Sequence, residues 1–267
     1  MKIGFIGLGN MGGSLARLVA QDERFRSELL LANRSRDKAE KIAAEVGGQP
    51  VSNAEVFSQA EVIFLGIKPA QFADLLAEYQ EVLEKRESLL LVSMAAGLTL
   101  EILERLTPSH HRWIRIMPNT PVVVGEGVIS FALSQQANQA DEDLLWELLS
   151  SAGLLVKLEE KQLDAATALA GCGPAFVYLF IEALADAGVR AGLGRDISLE
   201  LANQTLLGAA KLSQVSGQHP AQLKDQVCSP AGSTIAGVAS LEENAFRGMV
   251  MEAVQAAYKR TQELGKK

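Results

Sequence analysis

Residues 1–16 read MKIGFIGLGNMGGSLA, and their order decides the first half of the fold. A short apolar run from Ile3 to Ile6 meets glycines at 7, 9 and 12, and a helix-forming stretch follows. G-x-G-x-x-G placed between a strand and a helix is a dinucleotide-binding fingerprint. Gly7 permits the tight turn, Gly9 lets backbone approach a pyrophosphate, and Gly12 allows close helix packing. The amides of Asn10 and Met11 then face the anion at the start of the helix.

The next strand, Leu29 to Ala32, ends in Asn33-Arg34-Ser35. A carboxylate in this place would accept from both ribose hydroxyls and repel a 2′-phosphate, whereas Asn33, Arg34 and Ser35 offer donors and a positive charge. The expected cofactor is NADP(H), with NADH a weaker alternative.

Outward from these two strands, β-branched and aromatic runs alternate with helical stretches, the pattern of a parallel sheet covered on both faces. Strands are expected at Val62–Gly66, Leu89–Ser93 and Trp113–Met117, with two further short ones near Gly127–Ser130 and Leu154–Leu158. Helices are expected at Arg36–Val46, Ala70–Glu84 and Asp141–Ser151. Lys68-Pro69, Ala95-Ala96-Gly97 and Met117-Pro118-Asn119-Thr120-Pro121 fall at carboxyl ends of strands, where open parallel sheets bind ligands. Lys68, Pro69 and Ala95 are therefore cofactor candidates. Asn119, held between two prolines, is suited to orient a nicotinamide or a neighbouring loop.

From about Lys161 the β-branched runs disappear and Ala, Leu, Gln and Glu dominate, as helices prefer. The expected architecture is a doubly wound, Rossmann-type, mainly parallel sheet in residues 1–160, followed by an all-helical domain in 161–267. A chain of 267 residues with 48% hydrophobic content can supply a core for each. Between Pro174 and Gly192 the polar side chains are Tyr178, Glu182, Asp186 and Arg190, a spacing of four that forms one narrow stripe along a helix. A helix so thinly polar needs cover on its other sides, which points to a subunit interface, with enclosure by its own domain as the alternative.

The net charge of −7 and the absence of clustered Lys and Arg argue against a nucleic-acid partner. No window of about 18 apolar residues free of charge supports a membrane-spanning helix. Lys2 followed at once by a short apolar run ending in glycine does not resemble an export signal, so a cytoplasmic location is expected. Cys172 and Cys228 read as small residues in tight places, and no metal site is expected. His110 and His111 in a proline-flanked turn, and His219 before Pro220, read as solvent-exposed loop histidines.

The helical half holds HPAQLKDQVCSPAGSTIAGVASLEE, residues 219–243. Its Ser229-Pro-Ala-Gly-Ser-Thr234 segment is a small-residue loop opening a helix, with hydroxyls at 229, 233 and 234 and no carboxylate nearby. Free amides and a positive dipole end suit a substrate carboxylate, although an N-capping box without ligand fits the same residues.

This stretch resembles the signature of pyrroline-5-carboxylate reductase, the family that completes proline synthesis. Gly7-Leu-Gly-Asn-Met-Gly12, Asn33-Arg-Ser35, Ile67-Lys-Pro69, Met117-Pro-Asn-Thr-Pro121 and Gly171-Cys-Gly-Pro174 resemble that family's blocks in its order, across essentially the whole chain. Cys172 stands where the family often has serine, and Ala231 where it often has glycine. The resemblance implies a homodimer built by interleaving carboxyl-terminal helices, with rings of dimers in some members. It also implies that Ser229, Gly232, Ser233 and Thr234 hold the substrate carboxylate and ring, and that this loop meets a nicotinamide bound by the partner subunit's helical framework.

Reduction of a cyclic imine asks for hydride on carbon and a proton on nitrogen. No His, Lys or Cys pair with general-acid spacing surrounds the loop, so a pyrrolinium arriving already protonated, oriented by Thr234, is the expected reactant. Two rivals are a β-hydroxyacid dehydrogenase and a non-catalytic NADPH sensor. The first relies on a lysine soon after a glycine-rich stretch, and here Gly171-Cys-Gly173 leads into Pro174-Ala-Phe-Val-Tyr-Leu179, with Lys211 on a later helix. The second conflicts with an intact Ser229–Thr234 loop, since a nucleotide site alone confers binding and not chemistry.

Overall fold

The computed structural model describes residues 1–265. Eight strands form one sheet: β1 (Ile3–Ile6), β2 (Leu29–Ala32), β3 (Gln49–Pro50), β4 (Val62–Leu65), β5 (Leu90–Ser93), β6 (Arg112–Pro118), β7 (Gly127–Leu133) and β8 (Gly153–Lys157). Their order is β3-β2-β1-β4-β5-β6-β7-β8, and every neighbouring pair is parallel except β6 with β7. The chain reverses direction across the sheet between β1 and β4, so the carboxyl ends of these two strands open a crevice at the switch point.

The strands are apolar on both faces because helices cover both. Ile3, Phe5, Leu29, Leu31, Val62, Phe64, Ile114 and Ile116 enter one core. Their alternate neighbours Ile6, Leu30, Ile63, Leu65 and Trp113 enter a second. Within the first core the rings of Phe5 and Phe64 stack 4.7 Å apart.

Two expectations shift. The helix read over Ala70–Glu84 is broken at Tyr79 into Phe72–Glu78 and Gln80–Lys85, after a 3-10 turn at Pro69–Gln71. Tyr79 takes a non-helical conformation (φ −107°, ψ 17°) and stacks its ring on Phe57. The two-residue β3 escaped notice because it is short and contains Pro50, tolerated only because this strand lies at the sheet edge.

One compact unit comprises Met1–Cys172 together with the segment from Ala257 onward, and the other Gly173–Ala256. The second unit is helical: Gly173–Arg190, Arg195–Ser216, Pro220–Gln226, Ser233–Glu243 and the first part of Phe246–Leu264. Its first two helices approach closely at Gly188, where a Cβ would lie 2.7 Å from the Ser198 hydroxyl. In the single chain this unit encloses little: Val177, Leu179, Leu201, Leu207 and Met251 are all exposed, as are Tyr178, Glu182, Asp186 and Arg190 of the polar stripe. One helical run, Glu160–Arg190, is long and apolar enough, by length and composition alone, to cross a membrane. That departs from the expectation that no segment qualifies. The reason is the charge-free run from Ala165 to Ile181, bounded by Asp164 and Glu182.

Candidate functional site

The crevice at the switch point is a cleft of about 670 Å³ lined by Ile6, Gly7, Gly9, Asn33, Arg34, Ser35, Asn53, Gly66, Ile67, Lys68 and, from the Phe72–Glu78 helix and the turn before it, Gln71, Asp74, Leu75 and Glu78. Gly7 sits at φ 88°, a conformation that disfavours any side chain, and its N–H donates to the Ala32 carbonyl at 2.9 Å. A Cβ on Gly12 would lie 2.1 Å from the Gly7 carbonyl oxygen, so glycine there is what lets the Asn10–Val19 helix begin against the turn.

Gly9 is the N-cap of that helix, and no side chain caps it. A Cβ on Gly9 would meet nothing within 4 Å. The first-turn amides, those of Asn10 and Met11 included, therefore open onto free space at the positive end of the helix dipole. This fits a pyrophosphate.

At the carboxyl end of β2, Asn33 Oδ1 accepts from the Leu8 N–H at 3.0 Å and Nδ2 donates to the Ser35 carbonyl at 3.1 Å. Asn33 thus shapes the loop, while Arg34 is exposed and forms no ion pair among the described residues. A cationic donor without a protein partner suits a phosphate monoester. Lys68 N–H donates to Gln71 Oε1, fixing the turn that begins at Pro69. Sequence reading missed Asn53, Gln71 and the carboxylates Asp74 and Glu78. A signal for Asn53 was present: Ser52 and Glu55 form a reciprocal capping box that puts it at the first position of a helix.

Further along the sheet, Ala95 is buried and its N–H donates to Ser93 Oγ at 3.2 Å. Asn119, 7% exposed, uses its side chain internally: Oδ1 accepts from the Val128 N–H at 2.8 Å, and Nδ2 donates to the Ala170 carbonyl at 3.0 Å. Its side chain ties neighbouring segments together.

In the helical unit, Ser229–Gly232 makes a turn closed by Gly232 N–H to the Ser229 carbonyl, 3.0 Å. Ala231 occupies the left-handed region at φ 54°. Gly232 is the N-cap of the Ser233–Glu243 helix and no side chain caps it. The hydroxyls of Ser229, Ser233 and Thr234 make no hydrogen bond among the described residues, so the capping-box alternative finds no support, and the first-turn amides and three hydroxyls are available to an anion. A Cβ on Gly232 would lie 2.3 Å from Ser229 Oγ, so a side chain there would force that hydroxyl to rotate away.

The histidine reading needs correction. His110 and His219 are exposed, but His111 is 1% exposed, with Nδ1 accepting from the Leu89 N–H at 3.2 Å and Nε2–H donating to the Leu83 carbonyl at 3.1 Å. Burial pushes its pKa down to about 4, helped by the neighbouring charges of His110, Arg86 and Arg112 and opposed by the bond to Leu83. It lies where the chain enters β6, at the amino-terminal end of the parallel strands and away from the cleft at their carboxyl ends, and is a structural group. Cys172 and Cys228 are both free and half-buried.

Residues 160–264 match the family model described as pyrroline-5-carboxylate reductase dimerisation, and residues 2–97 match that described as NADP oxidoreductase, coenzyme F420-dependent. The pyrroline-5-carboxylate reductase of Pisum sativum is 44% identical over 98% of this chain and 95% of its own. That of Synechocystis is 41% identical over 100% and 99%. Among solved structures, a Plasmodium falciparum pyrroline carboxylate reductase with NADP bound superposes with a TM-score of 0.87 at 36% identity, covering 99% of this chain and 98% of that one. A Coxiella burnetii pyrroline-5-carboxylate reductase superposes at 0.91 with 30% identity, covering 100% and 99%. With its dinucleotide cleft, its uncapped hydroxyl-lined loop and these relatives over its full length, the chain belongs to the pyrroline-5-carboxylate reductase family.

Proposed function

We propose that the protein reduces 1-pyrroline-5-carboxylate to L-proline, the last step of proline biosynthesis, with NADPH as the preferred donor and NADH a weaker one. The observation that carries this reading is the uncapped start of the Ser233–Glu243 helix, with three hydroxyls that have no partner among the described residues, in a chain whose relatives of this family match along its whole length.

When bound, NADPH supplies the hydride. Gly7, Gly9 and Gly12 with the amides of Asn10 and Met11 hold the pyrophosphate, and Arg34 and Ser35 hold a 2′-phosphate on the loop that Asn33 shapes. Lys68, Pro69, Ala95 and Asn119 line or set the carboxyl ends of the strands on the nicotinamide side. At the other site the amides of Ser233 and Thr234 and the hydroxyls of Ser229 and Ser233 hold the substrate carboxylate, while Gly232 keeps the turn open. Thr234 bonds the ring nitrogen and aims the imine carbon. The loop contains no carboxylic acid, imidazole or ammonium group, so the nitrogen enters protonated from solvent, and the protein contributes positioning. The balance is one hydride to carbon and one proton to nitrogen.

The substrate-binding and dimerisation role is assigned to residues 161–267, and the cofactor role to residues 1–160. The bare apolar surface of the helical unit supports a homodimer, because the residues that match the dimerisation model include the apolar helix Gly173–Arg190. A second copy on that surface accounts for its apolarity without a membrane. Assembly into rings of dimers, a cytoplasmic location and the absence of a nucleic-acid partner belong to the same reading.

The test is NADPH oxidation by purified protein given racemic 1-pyrroline-5-carboxylate, repeated with NADH and with a 3-hydroxy acid plus NADP⁺. Imine-dependent oxidation that prefers NADPH supports the reading. Turnover of the hydroxy acid alone would favour a β-hydroxyacid dehydrogenase, and tight NADPH binding without turnover a sensor.

A further inference from the structure

Arg115 stands in the middle of β6 with its side chain 3% exposed, flanked along the strand by Ile114 and Ile116. A charge there is costly unless its bonds do something that an apolar residue could not. Its Nη1 donates to Glu160 Oε1 at 3.2 Å and its Nη2 to Asp164 Oδ1 at 3.4 Å, while Nε has no partner among the described residues. The same Glu160 oxygen accepts the N–H of Leu100 at 2.6 Å. Leu100 opens the Leu100–Arg105 helix, whose N-cap is Thr99. One carboxylate oxygen therefore joins the buried guanidinium to the far end of the loop that follows β5.

That loop is held at its other points as well. Ser93 is the register partner of Arg115 and accepts the Ala95 N–H. Gly97 sits at φ 84°, and a Cβ on it would lie 3.0 Å from the Gly265 Cα and 3.1 Å from the Leu264 carbonyl oxygen. Beside it a pocket of about 210 Å³, open to solvent, is lined by Gly97, Thr99, Arg115, Asp164, Gln262 and Gly265. Ala95 and Leu100 are buried in the second core, and the polar contacts add hydrogen bonds at the two ends of the loop between them.

We propose that Arg115 is a positioning residue for hydride transfer: through Glu160 it fixes the 95–99 loop, and with it the Ala95 backbone, at the carboxyl end of β5 where the nicotinamide is read to bind. The inference rests on the reductase reading and on Ala95 as a cofactor contact. Displacement of a reacting group by about 1 Å costs up to roughly a hundredfold in rate, and a mobile loop allows displacements of that order.

The experiment compares wild type with Arg115→Met, Arg115→Lys, Glu160→Gln and the double variant Arg115→Met/Glu160→Gln, all as the full chain. Wild type must first reduce the imine, and failure there would remove the reductase reading rather than this one. Each variant is then tested for kcat and KM, for the primary isotope effect with C4-deuterated NADPH, for NADPH Kd by fluorescence, and for hydrogen exchange of the peptide spanning Met94–Leu103. Arg115→Met should lower kcat/KM for NADPH by about ten- to a hundredfold, raise the isotope effect, and speed exchange in that peptide. Arg115→Lys should recover only part of the loss, because a point charge cannot bridge both carboxylates as the fork does. The double variant should be no worse than Arg115→Met alone, the mark of two residues acting as one unit. Glu160→Gln, which retains an acceptor for Leu100, is the variant that keeps the question open to decision if Arg115→Met does not fold, and it should show the same rise in isotope effect to a smaller degree. Folded variants with wild-type isotope effect, NADPH Kd and loop exchange would overturn the proposal, as would effects of the two substitutions that simply add.

Discussion

The Asn119 side-chain amide donates to the Ala170 carbonyl at 3.0 Å, tying the end of β6 to the irregular helical turn Thr167–Gly171. With Oδ1 bound to Val128, a single 7%-exposed side chain satisfies two backbone groups from different segments. Asn119→Ala should leave both unpaired, at a cost of about 1–3 kcal/mol each, and equilibrium urea denaturation should show a lower midpoint. An unchanged midpoint would mean water replaces the amide without loss.

On the proposed reading, Arg34 carries the cofactor preference. A charge-assisted bond contributes roughly 1.5–3 kcal/mol, so Arg34→Ala should weaken NADPH by about ten- to a hundredfold and change NADH little. Titration of both cofactors by fluorescence checks this, and equal losses for the two would remove Arg34 from 2′-phosphate recognition.

Thr234→Ala should lower kcat by roughly ten- to a hundredfold if its hydroxyl bonds the ring nitrogen mainly in the transition state. The KM for the imine should move less than kcat. Steady-state kinetics at saturating NADPH separates the two, and unchanged turnover would exclude Thr234 from the reaction.

At Ala231 the left-handed backbone (φ 54°) carries a side chain that glycine would dispense with. Relief of about 1 kcal/mol of strain is opposed by the greater freedom of glycine in the unfolded chain. Ala231→Gly should therefore leave Tm within a few degrees of wild type and kcat/KM within about twofold. A large loss of kcat/KM with Tm preserved would show that the loop needs the rigidity of alanine.

His111 supplies a pH-dependent part of stability. Its folded pKa of about 4 lies below the unfolded value of about 6.5, so between these values the unfolded chain binds the proton and the folded one does not. The contribution is complete above about pH 6.5 and is lost as pH falls toward 4, roughly 3 kcal/mol in all. Urea midpoints measured across that window should fall more steeply for wild type than for His111→Gln. Parallel slopes would mean that His111 protonates in place.

How much of this was legible in the sequence depended on how local the cause was. The conformations of Gly7 and Gly12 are set by a turn and a close approach within a few residues, and the spacing displayed both. The two-faced apolar strands were equally plain, because burial on both sides leaves no alternation to misread. The Asn33 loop was located, yet its side-chain bond to Leu8 crosses from one strand end to another and leaves no trace in spacing. His111 looked like a turn residue from its neighbours Pro108 and His110, and its burial came from packing against Leu83 and Leu89. Arg115 and Glu160 are 45 positions apart, and only an arginine amid the apolar residues of β6 hinted at a buried partner.

The most direct test of the central claim is mass analysis of proline formed from 1-pyrroline-5-carboxylate and C4-deuterated NADPH. The account predicts one deuterium on ring carbon 5, the former imine carbon, in amounts that match the NADPH consumed. No proline, or proline without deuterium at that carbon, would contradict it.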